Sequence, residues 1–251
     1  MKDILKLLVD NKHNGFFSAD YPVKADTDDE ATIYLYDSIV ANDLAAELFG
    51  GVSPQAFVKT LAQIKTDVIH LRINSPGGDV FAARAMEQSL REHRAKIVAH
   101  IDGYAASAAG FLAMAADEVV INEGGFFMIH KAWTMTLGNA DDHLHTAALL
   151  EQIDASLVET YYKRTKQKPQ QIAQWMAEET WMSAQEAVDR GFADRIDLGT
   201  KAKSAWNMSA YQKAPVLEQQ HAVVVEPTVS VVHPTNIDQL RRKLQLVSRT
   251  A

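Results

Sequence analysis

KIVAHIDGYAASAAGFLAMAA, residues 96–116, decides the fold. KIVAHI is rich in β-branched and apolar residues and reads as a strand over 96–101. GYAAS follows as a glycine-bearing turn, and a helix runs from about 107 to 116. One hydroxyl, Ser107, stands among small residues where that helix begins.

The same alternation extends in both directions. Upstream, ATIYLYDSI (31–39) reads as a strand and NDLAAELFGG (42–51) as a short helix ended by glycines. Ser53 and Pro54 supply a cap and a first-turn proline. Phe57, Leu61 and Ile64 then mark one apolar helix face. TDVIHLRI (66–73) is a second strand, closed by NSPGGD (74–79). The helix from about 79 to 94 carries Ala83, Met86 and Leu90 on one stripe. Downstream, the strand DEVVI (117–121), the turn NEGG (122–125) and the strand FFMIH (126–130) follow. Strands and helices alternating through short connections predict right-handed crossovers around a mostly parallel sheet, an α/β architecture. Ligands of such sheets bind where strands end and helices begin.

After His130 the pattern changes. KAWTMTLGNADD (131–142) carries strand and turn signals. One long helix is expected over 141–165, with Leu150, Ile153, Leu157 and Tyr161 on a stripe. At 1.5 Å per residue it would reach about 37 Å. A compact domain has no need of that length, so the helix should project and pack on another copy of the chain. PQQIAQWMAEE (169–179) is a further helix. SAQEAVDRG (183–191) is the last clear one, with Ser183 and Glu186 forming a capping box. Residues 1–30 read as an arm, with a short helix at 2–9 and the polar run KADTDDEA (24–31) as a loop. Residues 198–251 read as a weakly structured tail, with a strand at VVVEP (223–227) and a terminal helix near 236–247.

Composition narrows the function. The chain has 251 residues, 47% hydrophobic and 23% charged, which suits one globular core with an added tail. A net charge of −7 argues against a nucleic-acid-coating surface. No cysteine is present, which excludes a disulfide framework, thiolate metal ligands and a Cys nucleophile. His143 and His145 lie two apart and do not share a helix face, so no metal site is expected. The apolar run ILKLLV (4–9) is too short to cross a bilayer or to form a signal-peptide core. A cytoplasmic protein without membrane attachment is expected.

Three positions carry chemistry. Ser107, at a strand-to-helix turn, is either an N-cap or a nucleophile set beside free backbone N–H groups. The paired glycines Gly77 and Gly78 make either a tight turn or an oxyanion cradle. His130 is either a satisfied core residue or the base that takes the serine's proton. Acyl transfer needs all three roles together, and all three positions lie at the ends of successive strands.

INSPGGD (73–79), DGYAASAAG (102–110), FMIH (127–130) and ETWMSAQEAVDRGFAD (179–194), in this order and spacing, resemble the Clp-type serine protease family over about residues 31–197. Within it, NSPGGDVFA, Trp133, the GNADD segment and ETW are most similar to the phage-encoded Clp-like head maturation proteases. The resemblance implies a crotonase-like spiral of βα units with a protruding handle, here about 133–165. It implies homo-oligomeric rings, stacked around a chamber, that act on protein substrates such as capsid or scaffold protein, with no cofactor. Residue by residue, Ser107 matches the nucleophile, His130 the general base, and Gly78 and Ala108 the oxyanion donors. Glu179 stands where the housekeeping members have an aspartate as third triad member. Lys131 and Ala132 stand where an amide and a proline are usual, which with Gly77 places Lys131 in the expected substrate groove. The polar N-terminal region shows no clear likeness to docking loops for an ATP-driven unfoldase. An ATP-independent endopeptidase is therefore expected, with an unfoldase-served proteolytic subunit or a non-catalytic assembly protein as the alternatives.

Overall fold

The computed structural model describes residues 24–27, 30–201, 208 and 211–215. The sequence readings at 2–9, 223–227 and 236–247 lie outside these residues. The strands are β1 (Lys24–Thr27), β2 (Glu30–Leu35), β3 (Val68–Ser75), β4 (Lys96–Ala106), β5 (Glu118–Glu123), β6 (Phe126–Ile129), β7 (Thr180–Ser183) and β8 (Arg195–Lys201). The helices are α1 (Asp43–Phe49), α2 (Pro54–Gln63), α3 (Val80–Glu92), α4 (Ala108–Ala113), α5 (Ala140–Thr165), α6 (Pro169–Ala177) and α7 (Ala184–Asp189).

The sheet runs in the order β1-β2-β3-β4-β5-β8, and every neighbour pair but β1–β2 is parallel. In β3, Ile69, Leu71, Ile73 and Ser75 are buried while the residues between them are half-buried. That alternation is unusual for a parallel strand, and it arises because one face carries the apolar core and the other a polar network. On the core side, Phe57 and Leu61 of α2 and Ala83, Met86 and Leu90 of α3 are buried with Ile33, Leu71 and Ile101. Each large aliphatic side chain so buried stabilises the fold by roughly 1.5–3 kcal/mol. On the other face, Asp102 accepts from Tyr36 Oη at 2.6 Å, Arg72 Nε at 2.8 Å and Asn122 Nδ2 at 3.1 Å, tying β3, β4 and β5 to the residue that follows β2. Burial, and then the Asp102 charge, push the Tyr36 phenol up, so it remains a donor.

β4 is longer than its sequence suggests. Its first part, Val98–Ile101, pairs with β5, and Tyr104–Ala106 pairs with β6. The pairing with β3 slips between Ile73 and Ser75, around Gly103. This irregularity lets one strand leave the first layer and found the second, where β7 adds antiparallel to β6. GYAA is therefore strand, and the turn contracts to Ser107.

Three other expectations change. KADT pairs antiparallel with β2 instead of forming a loop, since a backbone beside an unpaired sheet edge gains ladder hydrogen bonds. Residues 131–138 contain no assigned strand, because no other strand lies against them among the described residues. β8 continues past residue 198, held by β5.

The long helix is present as α5, about 39 Å over 26 residues. Asn139 and Asp142 close a capping box at its start, with Asp141 also in the first turn. Its last turns are buried at Leu157, Thr160 and Tyr161, whereas Leu144 is 67% exposed. The helix therefore projects from the body at its N-terminal half. No helix among the described residues is long and apolar enough to cross a membrane.

Candidate active site

The register of the second layer brings the candidate nucleophile and base together. Ala106 pairs with Met128, so the residues just beyond, Ser107 and His130, leave the same end of two neighbouring parallel strands. Ser107 N donates to Met128 O at 2.9 Å. Its backbone has φ 54 and ψ −123, a region that residues other than glycine rarely adopt. Ser107 occupies the N-cap position of α4, yet its side chain caps nothing. The hydroxyl instead lies 2.7 Å from His130 Nε2. His130 is buried and Ser107 half-buried. A serine oxygen 2.7 Å from an imidazole nitrogen can pass its proton there as it attacks a carbonyl.

NSPGG brings the third component. Ser75 Oγ donates to Asp37 O at 2.6 Å and fixes the loop's root. Gly78 has φ 147, and a Cβ there would fall 2.0 Å from Ile39 O, so no side chain fits. Gly77 has φ 88, and a Cβ there would meet Ala106 O at 2.6 Å and Ser107 Cβ at 2.8 Å. The two glycines thus let the loop press against the serine turn. The N–H groups of Gly78 and Ala108 have no protein acceptor among the described residues. Both residues border the same opening as Ser107.

That opening is a cleft of about 330 Å³ between the body and α5. Phe81, Phe111, Trp133, Met135, Ile153 and Tyr161 make its walls largely apolar. Ala132 N donates to Asp154 Oδ1 at 2.7 Å, which fastens the segment after His130 to the handle. Burial holds the Asp154 carboxyl above its ordinary range. Gly77 and Lys131 are not on the walls. Gly77 is buried beneath the serine turn, its N–H donating to Ser75 Oγ at 3.2 Å. Lys131 N donates to Met176 O at 3.0 Å, and its side chain is exposed. Ala132 and Trp133 take the groove positions instead.

Glu179 is 5% exposed and has φ 51. Its Oε1 accepts from Lys213 N at 2.7 Å and faces Trp181 Nε1 at 3.5 Å. The Tyr211 ring meets the His130 imidazole edge-on, with centroids 5.5 Å apart. Sequence reasoning missed Tyr211, Asp154 and Asp102. Asp102 sits inside a quoted motif, and a carboxylate at the end of an apolar strand was its signal. Tyr211 lies in a stretch with no periodicity and gave none.

Residues 25–198, well over half of the chain, match the Clp protease family model. The chain belongs to the Clp protease family, and its fold is that family's α/β spiral, built on a largely parallel sheet. Two curated relatives both bear the name ATP-dependent Clp protease proteolytic subunit. The one from Deinococcus radiodurans is 28% identical over 130 residues, 51% of this chain and 64% of its own. The one from Chlorella vulgaris is 25% identical over 135 residues, 53% of this chain and 67% of its own. The matched segments thus span about two thirds of these relatives' lengths.

Proposed function

We propose that the protein is a serine endopeptidase working through an acyl-enzyme. Ser107 is the nucleophile, His130 the general base, and the N–H groups of Gly78 and Ala108 bind the oxyanion. The 2.7 Å contact between Ser107 Oγ and His130 Nε2, at the mouth of an apolar cleft, carries this reading. In the first step Ser107 Oγ bonds to the peptide carbonyl carbon as its proton passes to His130. His130 then returns that proton to the departing amine as the C–N bond breaks. A water, deprotonated by the same imidazole, cleaves the ester and restores the serine. The cleft suits an apolar substrate side chain.

Glu179 is the third triad member of this reading, its carboxylate orienting His130 from a buried position. Because Glu179 Oε1 already accepts the Lys213 amide, its loss should cost less than loss of the base. Glu179→Ala is expected to slow peptide cleavage about 10- to 100-fold, against about 10⁴-fold for His130→Ala. Comparable losses, measured as kcat/KM on one fluorogenic peptide, would make Glu179 a full triad member.

The projecting half of α5, with Leu144 and Leu149 exposed, supports assembly into rings through the handle. The finer role we favour is ATP-independent trimming of capsid or scaffold protein in phage head maturation, within the host cytoplasm. It rests on the likeness of NSPGGDVFA, Trp133, GNADD and ETW to that subgroup. The second reading, a proteolytic subunit fed by an ATP-driven unfoldase, is favoured by the names of both relatives. Co-expression with a phage capsid protein separates the two. Shortened capsid protein, dependent on Ser107 and seen in purified components without ATP, is expected; cleavage that requires ATP and an added unfoldase would favour the second reading.

A further inference from the structure

Tyr211 lies beyond residue 198, where the family match ends, yet it is packed into the site. Its side chain is 7% exposed. Its hydroxyl donates to the carbonyl of Pro76, the residue before Gly77 and Gly78. Its ring meets the His130 imidazole edge-on, with centroids 5.5 Å apart and planes at 75°, and the Trp181 indole at 5.8 Å and 76°. Burial holds the phenol in its protonated, donating form. Behind it, Met208 packs with Tyr104, Ala106 and Met128 on the second-layer strands. Two residues on, Lys213 N donates to Glu179 Oε1, and the Lys213 ammonium reaches Glu178 O. One short segment thus touches the glycine loop, the base and Glu179.

Two roles fit a tyrosine in such a place: a plug in the substrate cleft or a brace behind the catalytic groups. The cleft decides between them. Its walls are formed by Gly78, Asp79, Phe111, Trp133 and the handle, and Tyr211 is not among them. The opening beside Ser107 persists with the tyrosine seated.

The geometry points to Tyr211 as a positioning residue, supplied from outside the matched protease region, that braces the Pro76–Gly78 loop and the His130 ring. This inference rests on the Ser107–His130 reading above. A loop with two consecutive glycines has wide backbone freedom, and the oxyanion donor it carries must be held to a fraction of an ångström. A hydrogen bond to Pro76 O removes part of that freedom, and the ring edge limits rotation of the imidazole.

The test uses the full chain and a fluorophosphonate probe, separating the limiting inactivation rate from the probe concentration at half saturation. Tyr211→Phe keeps the ring and loses the bond to Pro76. Its limiting rate is expected to fall about tenfold. Tyr211→Ala loses the ring as well, and its rate should fall about 100-fold. Half saturation should shift less than about twofold in both, because Tyr211 does not line the cleft. An unchanged limiting rate in Tyr211→Phe would reduce the residue to packing, and a faster one would make it a plug; either overturns the inference, and neither depends on the alanine variant folding. Absence of probe on wild-type Ser107 would overturn the Ser–His reading itself, and this inference with it.

Discussion

Ser107→Ala is expected to abolish both fluorophosphonate labelling and peptide cleavage, with a loss of at least about 10⁴-fold in kcat/KM. The size follows from the geometry. Ser107 Oγ is the group His130 Nε2 meets at 2.7 Å, and it stands at the edge of the cleft that would receive a carbonyl. With the oxygen gone, only the oxyanion donors and substrate binding remain, and those leave a small residue of catalysis. Folding should change little. Ser107 Oγ caps no helix, and its neighbours Ala106 and Ala108 are buried whether or not the hydroxyl is there. The alanine must still hold φ near 54, a strain the serine already bears. Circular dichroism and thermal melting of the variant should therefore match the parent while the probe finds no site. Undiminished labelling of Ser107→Ala would end the assignment.

Gly78→Ala should also be costly, through a different route. The added Cβ would lie 2.0 Å from the Ile39 carbonyl oxygen and 2.9 Å from Ile39 N. Backbone atoms cannot give way as a flexible side chain does, so the loop must move. Gly78 is also held at φ 147, where an L-residue is strained. Ile39 N bonds to Gly77 O at 2.8 Å and Asp79 N to Ile39 O at 2.9 Å, so the shift would break the pairing that places the Gly78 N–H. Loss of one oxyanion donor costs about 10²- to 10³-fold in kcat. The limiting labelling rate, measured well below the melting temperature, should fall by that factor. A rate within about threefold of the parent would show that the Gly78 amide has no part in the chemistry.

Particular residues show what the sequence could and could not tell. Phe57, Leu61, Ala83, Met86 and Leu90 announced their helix faces because amphipathic spacing is a local property, and all are buried. Ser107 and His130 could be brought together in advance because residues at the ends of parallel strands converge, and here β6 pairs directly beside the end of β4. The hidden parts depend on neighbours distant in the chain. KADT carries no apolar alternation and becomes a strand only because β2 offers an edge. Tyr104–Ala106 looked like a turn because its partner, β6, lies about twenty residues further on. The resemblance placed Lys131 in the substrate groove, where the family has an amide, yet its exposed side chain lies off the cleft wall and its amide bonds to Met176 O. Tyr211 reads as one aromatic in an irregular stretch, and its role arises only where Pro76, His130 and Trp181 meet around it.

The most direct measurement is the structure of the protein covalently inactivated by a peptidyl phosphonate. The phosphorus should be bonded to Ser107 Oγ, with one phosphonyl oxygen about 2.7–3.1 Å from both the Gly78 and Ala108 nitrogens and the His130 imidazole beside the ester oxygen. A phosphonyl oxygen turned to solvent, away from both amides, or a bond to any other side chain, would contradict the mechanism.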